Sequence, residues 1–387
     1  MIGWHLKRHI KHVCVRFWSL WSTGVLVLAL VGVVAAPWFR GRTLYDTATS
    51  ATVNANPQFG VEPGGSLIGL SQSQLTSTLA NIKELGVTWI RFDVSWAAVQ
   101  PNNIGSYNWS GYDRVVKAIQ AAHLEALGTI DYSPEWAQTL GLGGTQVPPD
   151  NDAAFATFAG MVAARYASYG LHAWEIWNEP NWADFWPPAP NAAAYTLLLK
   201  DSYLAIHLAN PGAVVVAAGL SGTGTSGTQV AATEFLNQMY ANGAQGYFDA
   251  LAMHPYTFPR LATDAMAGSW QELYALHNIM SSNGDGSKRI WITEYGAPTG
   301  GPGAASPAGE PSRGSVNHVS DDAQAQILTS AVQAYESLTF AGPFFWYNYQ
   351  DTPTAPYDAD FSYGLLNADG SQKPAYSAYQ KAIAAAK

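Results

Sequence analysis

Residues 172 to 182 read HAWEIWNEPNW, and residues 289 to 296 read RIWITEYG. Each is an apolar, tryptophan-containing run that stops at a carboxylate. The first ends in Asn178 and Glu179 before Pro180, the second in Glu294. A buried strand ordinarily gives way to small or turn-forming residues, so charged groups at both ends need a reason. Two carboxyls brought face to face can divide one task. The protonated one donates to a leaving oxygen, and the ionised one attacks the carbon that oxygen leaves. A gap of about 5–5.5 Å suits that division of labour at a sugar's anomeric centre. It also requires surroundings that push the two pKa values apart.

The elements beneath decide whether the two carboxyls meet. Eight apolar runs are expected to be strands: FGVE (59–62), VTWIRFDVSW (87–96), ALGTIDYS (126–133), HAWEIWNEP (172–180), AVVVAAGLSG (213–222), FDALAMHPY (248–256), RIWITEYG (289–296) and FFWYNYQD (344–351). Stretches such as SQLTSTLANIKEL (73–85), YDRVVKAIQAAH (112–123) and AFATFAGMVAARYASY (154–169) lie between them with helical periodicity. Strand and helix alternating without a break in composition predict a (β/α)8 barrel, with an open α/β sheet as the alternative. In a barrel the fourth and seventh strands end on one rim and face each other, where barrel active sites sit. Alternation puts Ile90, Phe92 and Val94 on one face of the second strand and Arg91 and Asp93 on the inward one. Charges there need partners. The same period places Glu175, Trp177 and Glu179 on one face, and Ile290, Ile292 and Glu294 on another. Structural uses compete with chemistry at each position. Glu294 or Glu175 would serve as an ion-pair partner of Arg91, Glu179 as a turn residue, and His254 as a buried hydrogen-bonded histidine.

WNEP at the end of the fourth strand, WITEYG on the seventh and MHPY (253–256) on the sixth together resemble the signature of clan A glycoside hydrolases. The resemblance covers residues 58 to 387. Its closing FSYGLLNADGSQKPAYSAY is similar to the last loop and helix of family 5 and family 39 members. His254 and Tyr256 favour family 5, while WEIWNEPNW is closer to family 39. The resemblance implies a retaining O-glycosidase on a (β/α)8 barrel that needs no cofactor. It makes Glu179 the acid/base, Glu294 the nucleophile and Asn178 the amide that binds the sugar 2-hydroxyl. Arg91 would keep the nucleophile ionised, His254 and Tyr256 match the family 5 His-x-Tyr, and Trp346 matches the platform under the reacting sugar. Trp136 and Trp182, with Tyr132, Phe185 and Trp186, occupy loop positions that suit sugar stacking. An arginine beside Glu294 lowers its pKa, and apolar Trp177 and Trp182 near Glu179 would raise that one. A transglycosylase would use the same residues. An inactive carbohydrate-binding protein fits less well, because Glu179, Glu294 and Arg91 are all intact.

Composition narrows the setting. The chain has 387 residues, of which residues 1–42 carry six basic side chains and no acidic one. The run from Phe17 to Phe39 has no charge and is long enough to cross a bilayer. Residues 1–42 are therefore expected to be a signal peptide or an uncleaved membrane anchor, with 43–57 as linker and 58–387 as a catalytic domain outside the cytoplasmic membrane. The only cysteine is Cys14, so no disulfide holds that domain. Without the six basic residues the remainder has 13 basic against 28 acidic ones, a net charge of −15. That excludes nucleic acid as a partner. Aromatic residues, at 13% of the chain, outnumber charged ones at 12%. The balance fits a neutral polysaccharide, such as a cell-wall or exopolysaccharide β-glycan or galactofuranan, handled by a monomer. The scattered histidines form no metal-ligand pattern, and no glycine-rich phosphate loop follows a strand. The Gly/Pro/Ser-rich stretch 300–318 reads as a loop over the cleft, from which His318 or Arg313 would reach substrate or remain in solvent.

Overall fold

The computed structural model describes residues 57–386, apart from 103–104, 139–140, 223, 311–316 and 354–357. The expected signal or anchor segment, nearly all of the linker, and Arg313 lie outside the described residues. Parallel strands β1 (Phe59–Glu62), β2 (Trp89–Ser95), β3 (Glu125–Asp131), β4 (Ala173–Asn178), β5 (Val214–Ser221), β6 (Ala250–His254), β7 (Arg289–Tyr295) and β8 (Ala341–Tyr347) close in chain order. Pairing of β1 with β8, Gly60 opposite Phe345, rules out the open sheet. Around them run α1 (Gln72–Glu84), α2 (Trp96–Val99), α3 (Ser110–Ala121), α4 (Asp152–Tyr166), α5 (Ala192–Ala209), α6 (Ala232–Ala241), α7 (Gly268–Ser282), α8 (Asp321–Glu336) and α9 (Pro374–Ala385). This is the (β/α)8 barrel expected from the sequence.

Local chemistry starts the helices. Ser71 and Gln74 form a reciprocal capping box at α1, and Asn151, Asn191 and Ser320 cap α4, α5 and α8 through their side chains. Each such cap is worth about 1 kcal/mol against alanine. Outward strand residues such as Ile90, Phe92, Ile130, Ile176, Ile290 and Ile292 join the helices in one continuous core. Inside the barrel a separate layer of Leu127, Ala173, Val216, Ala250, Ala252, Trp291 and Phe345 forms a floor. Trp89 packs edge-on to Trp291 in that layer, with ring centroids 5.3 Å apart. With the floor closed, polar groups higher in the barrel meet solvent only through the rim at the strands' carboxyl ends.

Three departures from simple alternation matter for the site. β8 starts and ends earlier than expected, and its pairing with β7 slips around Gly342 and Pro343. On β4, Trp177 has a left-handed φ of 70°. It therefore leaves the face of Glu175 and packs against Phe155 of α4 and against Trp186. Asn178 and Glu179 both turn inward as a result. On β7 the register shifts between Ile292 and Tyr295. Glu294 thereby leaves the isoleucine face and enters the barrel, where Arg91 and Tyr256 meet it.

Candidate active site

Arg91 organises the barrel's upper interior. It is 1% exposed, and among the described residues four of its five guanidinium N–H groups have partners. Nε donates to Glu175 at 2.7 Å, Nη1 to Glu62 and to Glu294 (2.7 Å to the latter), and Nη2 to Asn178 Oδ1 at 3.0 Å. A planar fork of donors can bind several carboxylates at once, as a lysine point charge cannot. Glu175, expected as an ion-pair partner, is just that, and further donors reach it from Thr129 (3.0 Å), Thr293 (2.9 Å) and the Gly219 amide (2.9 Å). Asn178 accepts from Arg91 through Oδ1, and its NH2 has no hydrogen-bond partner among the described residues.

Glu294 sits between Arg91 and the Tyr256 hydroxyl, which donates to it at 2.8 Å. Burial works to raise its pKa, but the charges of His254 and Arg91 and the two hydrogen bonds prevail and hold it below the ordinary range. Glu179 differs. Burial raises its pKa, and the hydrogen bond and charge of His254 do not cancel that effect. Trp177 takes no part, because it points away from the carboxyl and donates its indole N–H to Phe185 O at 2.7 Å.

A hydrogen-bond chain explains how Glu179 is held. His254 Nδ1 lies 2.8 Å from Glu179 Oε1, and Nε2 lies 3.0 Å from Thr293 Oγ1. Thr293 has one hydroxyl hydrogen and gives it to Glu175. It must therefore accept from His254, which places a proton on Nε2. Nδ1 then shares a proton with Glu179. Burial lowers the His254 pKa, but Glu294 and Glu179 outweigh it and carry it above the usual imidazole value. Gly219, at a register shift on β5, makes room for the ring: a Cβ there would overlap the imidazole. Its carbonyl also accepts the Glu179 amide at 3.1 Å, and Glu179 itself has a left-handed φ of 41°.

The aromatic expectations divide. Trp346 is fully buried, packs against Tyr295 and donates to Tyr363 O at 3.3 Å, so it cannot lie under a sugar. Phe345 belongs to the floor, and alternation makes Tyr347 the inward residue. Its ring lies 5.3 Å from Tyr363, and burial followed by the charges of Glu294 and Glu62 pushes its phenol up. Trp186 is core, wedged between Trp177 and Tyr195. Trp136, Trp182, Phe185 and Tyr132 remain partly exposed. Trp136 packs on Trp96 and Trp182 on Phe185, while Tyr132 packs on Trp177 with Asp131, Asp93 and Glu294 acting on its phenol. His318 is buried within its own loop, hydrogen-bonded to Asn317, and does not reach the cleft. Among the described residues no group of three His, Cys, Asp or Glu side chains is placed to hold a metal ion.

Sequence reasoning passed over Glu62, Asp131, Thr293, Tyr347 and Tyr363. Glu62 carried the same signal as Glu179 and Glu294, a carboxylate ending an apolar strand. Tyr363 stood in the closing FSYGLL run, edge-on to Tyr256 at 5.9 Å.

Comparison with known proteins follows this geometry. No curated protein matches the sequence. The fold is similar to a family 39 glycoside hydrolase from the gut symbiont Bacteroides cellulosilyticus WH2 (TM-score 0.66, 22% identity), over 85% of this chain and 64% of that one. This chain thus spans under two thirds of that protein. It is also similar to a family 39 β-xylosidase from Caulobacter crescentus (TM-score 0.62, 22% identity, 85% and 71% covered). A third is a GH5_18 structure from Streptomyces cattleya in complex with GlcNAc (TM-score 0.64, 17% identity, 86% and 80% covered). The model of the cellulase family, glycosyl hydrolase family 5, matches residues 52–302. The chain belongs to that family, and so to the O-glycosyl hydrolases.

Proposed function

We propose that this chain is a retaining glycoside hydrolase in which Glu294 attacks the anomeric carbon and Glu179 protonates the leaving oxygen, then activates water. One observation carries the reading. His254 Nδ1 lies 2.8 Å from Glu179 and 3.6 Å from Glu294. The facing oxygens can be no farther apart than those two distances laid end to end. That keeps both carboxyls beside one imidazole, close enough to flank a single anomeric carbon, and the retaining course is the one that the clan A resemblance implies. The opposed pKa shifts of the two carboxyls supply the second requirement, an acid and a nucleophile at one pH. Asn178 offers its free amide to the sugar 2-hydroxyl, and Tyr347 with Tyr363 supplies the aromatic wall. The acidic, aromatic-rich chain suits a neutral polysaccharide, cleaved outside the cytoplasmic membrane by a monomer that is secreted or tethered through residues 1–42.

A panel of nitrophenyl glycosides and polysaccharides tests the activity. Wild type is expected to release product from some members. Glu294→Ala is expected to be inactive until azide restores turnover with the inverted glycosyl azide as product. A Glu294→Ala variant that hydrolyses at the wild-type rate contradicts the assignment.

A further inference from the structure

Asp93 and Asp131 are the two acids of the upper barrel that the proposed chemistry does not use. They stand on the inward faces of neighbouring strands, Asp93 opposite Thr129 and Asp131 opposite Ser95. Asp131 is 0% exposed, and neither of its carboxyl oxygens has a hydrogen-bond partner. An unpartnered charge cannot be kept in such a place. Burial and then the charge of Asp93 push its pKa well above the ordinary carboxylate value. Asp93 is half-buried and, among the described residues, has no hydrogen bond and no ion pair. Arg91 is two residues away, yet the hydrogen bonds of its guanidinium go to Glu62, Glu175, Glu294 and Asn178. The closed floor leaves the rim as the route by which the half-buried Asp93 meets solvent, at the end of the barrel that holds Glu294. Burial lifts Asp93 to about 6, with Arg91 opposing and Glu294 and Glu175 adding.

A carboxylate with both oxygens open accepts several hydrogen bonds. In a cleft that takes a sugar, the donors are ring hydroxyls on adjacent carbons. We propose that Asp93 is a specificity-determining contact that accepts hydrogen bonds from two vicinal hydroxyls of a bound sugar. The inference rests on the glycosidase reading and goes beyond it: the β2–β3 wall selects which sugar enters.

Steady-state kinetics on 4-nitrophenyl β-glucoside, galactoside, mannoside and xyloside, and on the matching disaccharide glycosides, test this. Asp93→Ala is expected to raise KM on the best substrate about ten-fold or more, the usual loss for hydrogen bonds to a charged group, with kcat much less affected. The ranking among the sugars is expected to flatten. Thermal melting checks folding, and Asp93→Asn carries the same comparison if the alanine variant does not fold. A folded Asp93 variant with wild-type KM and ranking overturns the inference while leaving the glycosidase reading intact. Stronger inhibition of wild type by glucosamine than by glucose indicates an ammonium site and also overturns it. Wild type that cleaves neither these glycosides nor any polysaccharide of the wider panel overturns the glycosidase reading, and this inference with it.

Discussion

At the scale of single residues, two carboxyls of one chemical type are set apart by their neighbours. Glu294 is flanked by a guanidinium and a phenol, Glu179 by one imidazole whose other nitrogen is tied through Thr293 to Glu175. The acidic limb of kcat/KM is therefore expected to report Glu294. The basic limb should report the Glu179–His254 pair, which titrates as a unit. Thr293→Val removes the acceptor that fixes the imidazole while keeping the bulk. It is expected to move the basic limb and leave the acidic one in place; a shift of the acidic limb alone contradicts the chain. Glu179→Ala is expected to slow substrates with poor leaving groups by about 10²–10⁴-fold, the usual worth of a general acid. Activated aryl glycosides should lose much less, and equal losses across leaving groups contradict the acid role. Most of these residues were legible in the sequence, because Glu179, Glu294, Arg91, Asn178, His254 and Tyr256 end or line strands recognisable by their apolar runs. Thr293 was not, since an uncharged residue inside a strand gives no sign of what it will touch.

At the scale of elements, strand existence and order were readable, and the side on which residues fall near strand ends was not. Period-2 alternation holds only for regular extended backbone. It fails at Trp177, which is left-handed, and along β7 and β8, whose pairing slips. These breaks bring Asn178 and Glu179 inward together, release Glu294 from the isoleucine face, and put Tyr347 in the cleft where Trp346 was expected. Only the floor position of Phe345 reveals that last choice, and it depends on contacts among distant strands. The β5 irregularity yields a prediction of its own. Gly219→Ala places a methyl where the His254 ring lies. Overpacking of this kind costs about 1–3 kcal/mol. The expected result is a lower Tm with activity falling further than stability explains, because the displaced ring no longer holds Glu179. Wild-type kinetics in this variant would show that the ring has freedom the geometry denies it.

At the scale of the whole molecule, the barrel interior concentrates acids around one arginine and one histidine. Glu62, Asp93, Asp131 and Glu179 all have raised pKa values, against one lowered in Glu294. An acid whose folded pKa is raised adds stability that is full below its unfolded pKa and is lost as pH rises through the folded value. Glu294 works in the opposite sense, its contribution being lost as pH falls. The balance predicts a higher Tm near pH 5 than near pH 8, the Asp93 share of the decline starting at its unfolded pKa of about 4 and ending just above its folded value of about 6; a Tm that climbs steadily to pH 8 contradicts it. Arg91→Met is expected to destabilise by about 3–5 kcal/mol, because it leaves buried carboxylates unpaired. The most direct test of the central claim is to trap the covalent intermediate. The protein is incubated with the 2-deoxy-2-fluoro glycosyl fluoride of the sugar that the panel selects, and the labelled peptide is mapped by mass spectrometry. The account predicts one glycosyl group on Glu294, in the peptide containing WITEYG. A label on Glu179, or an unlabelled protein that releases product with inverted anomeric configuration, would contradict it.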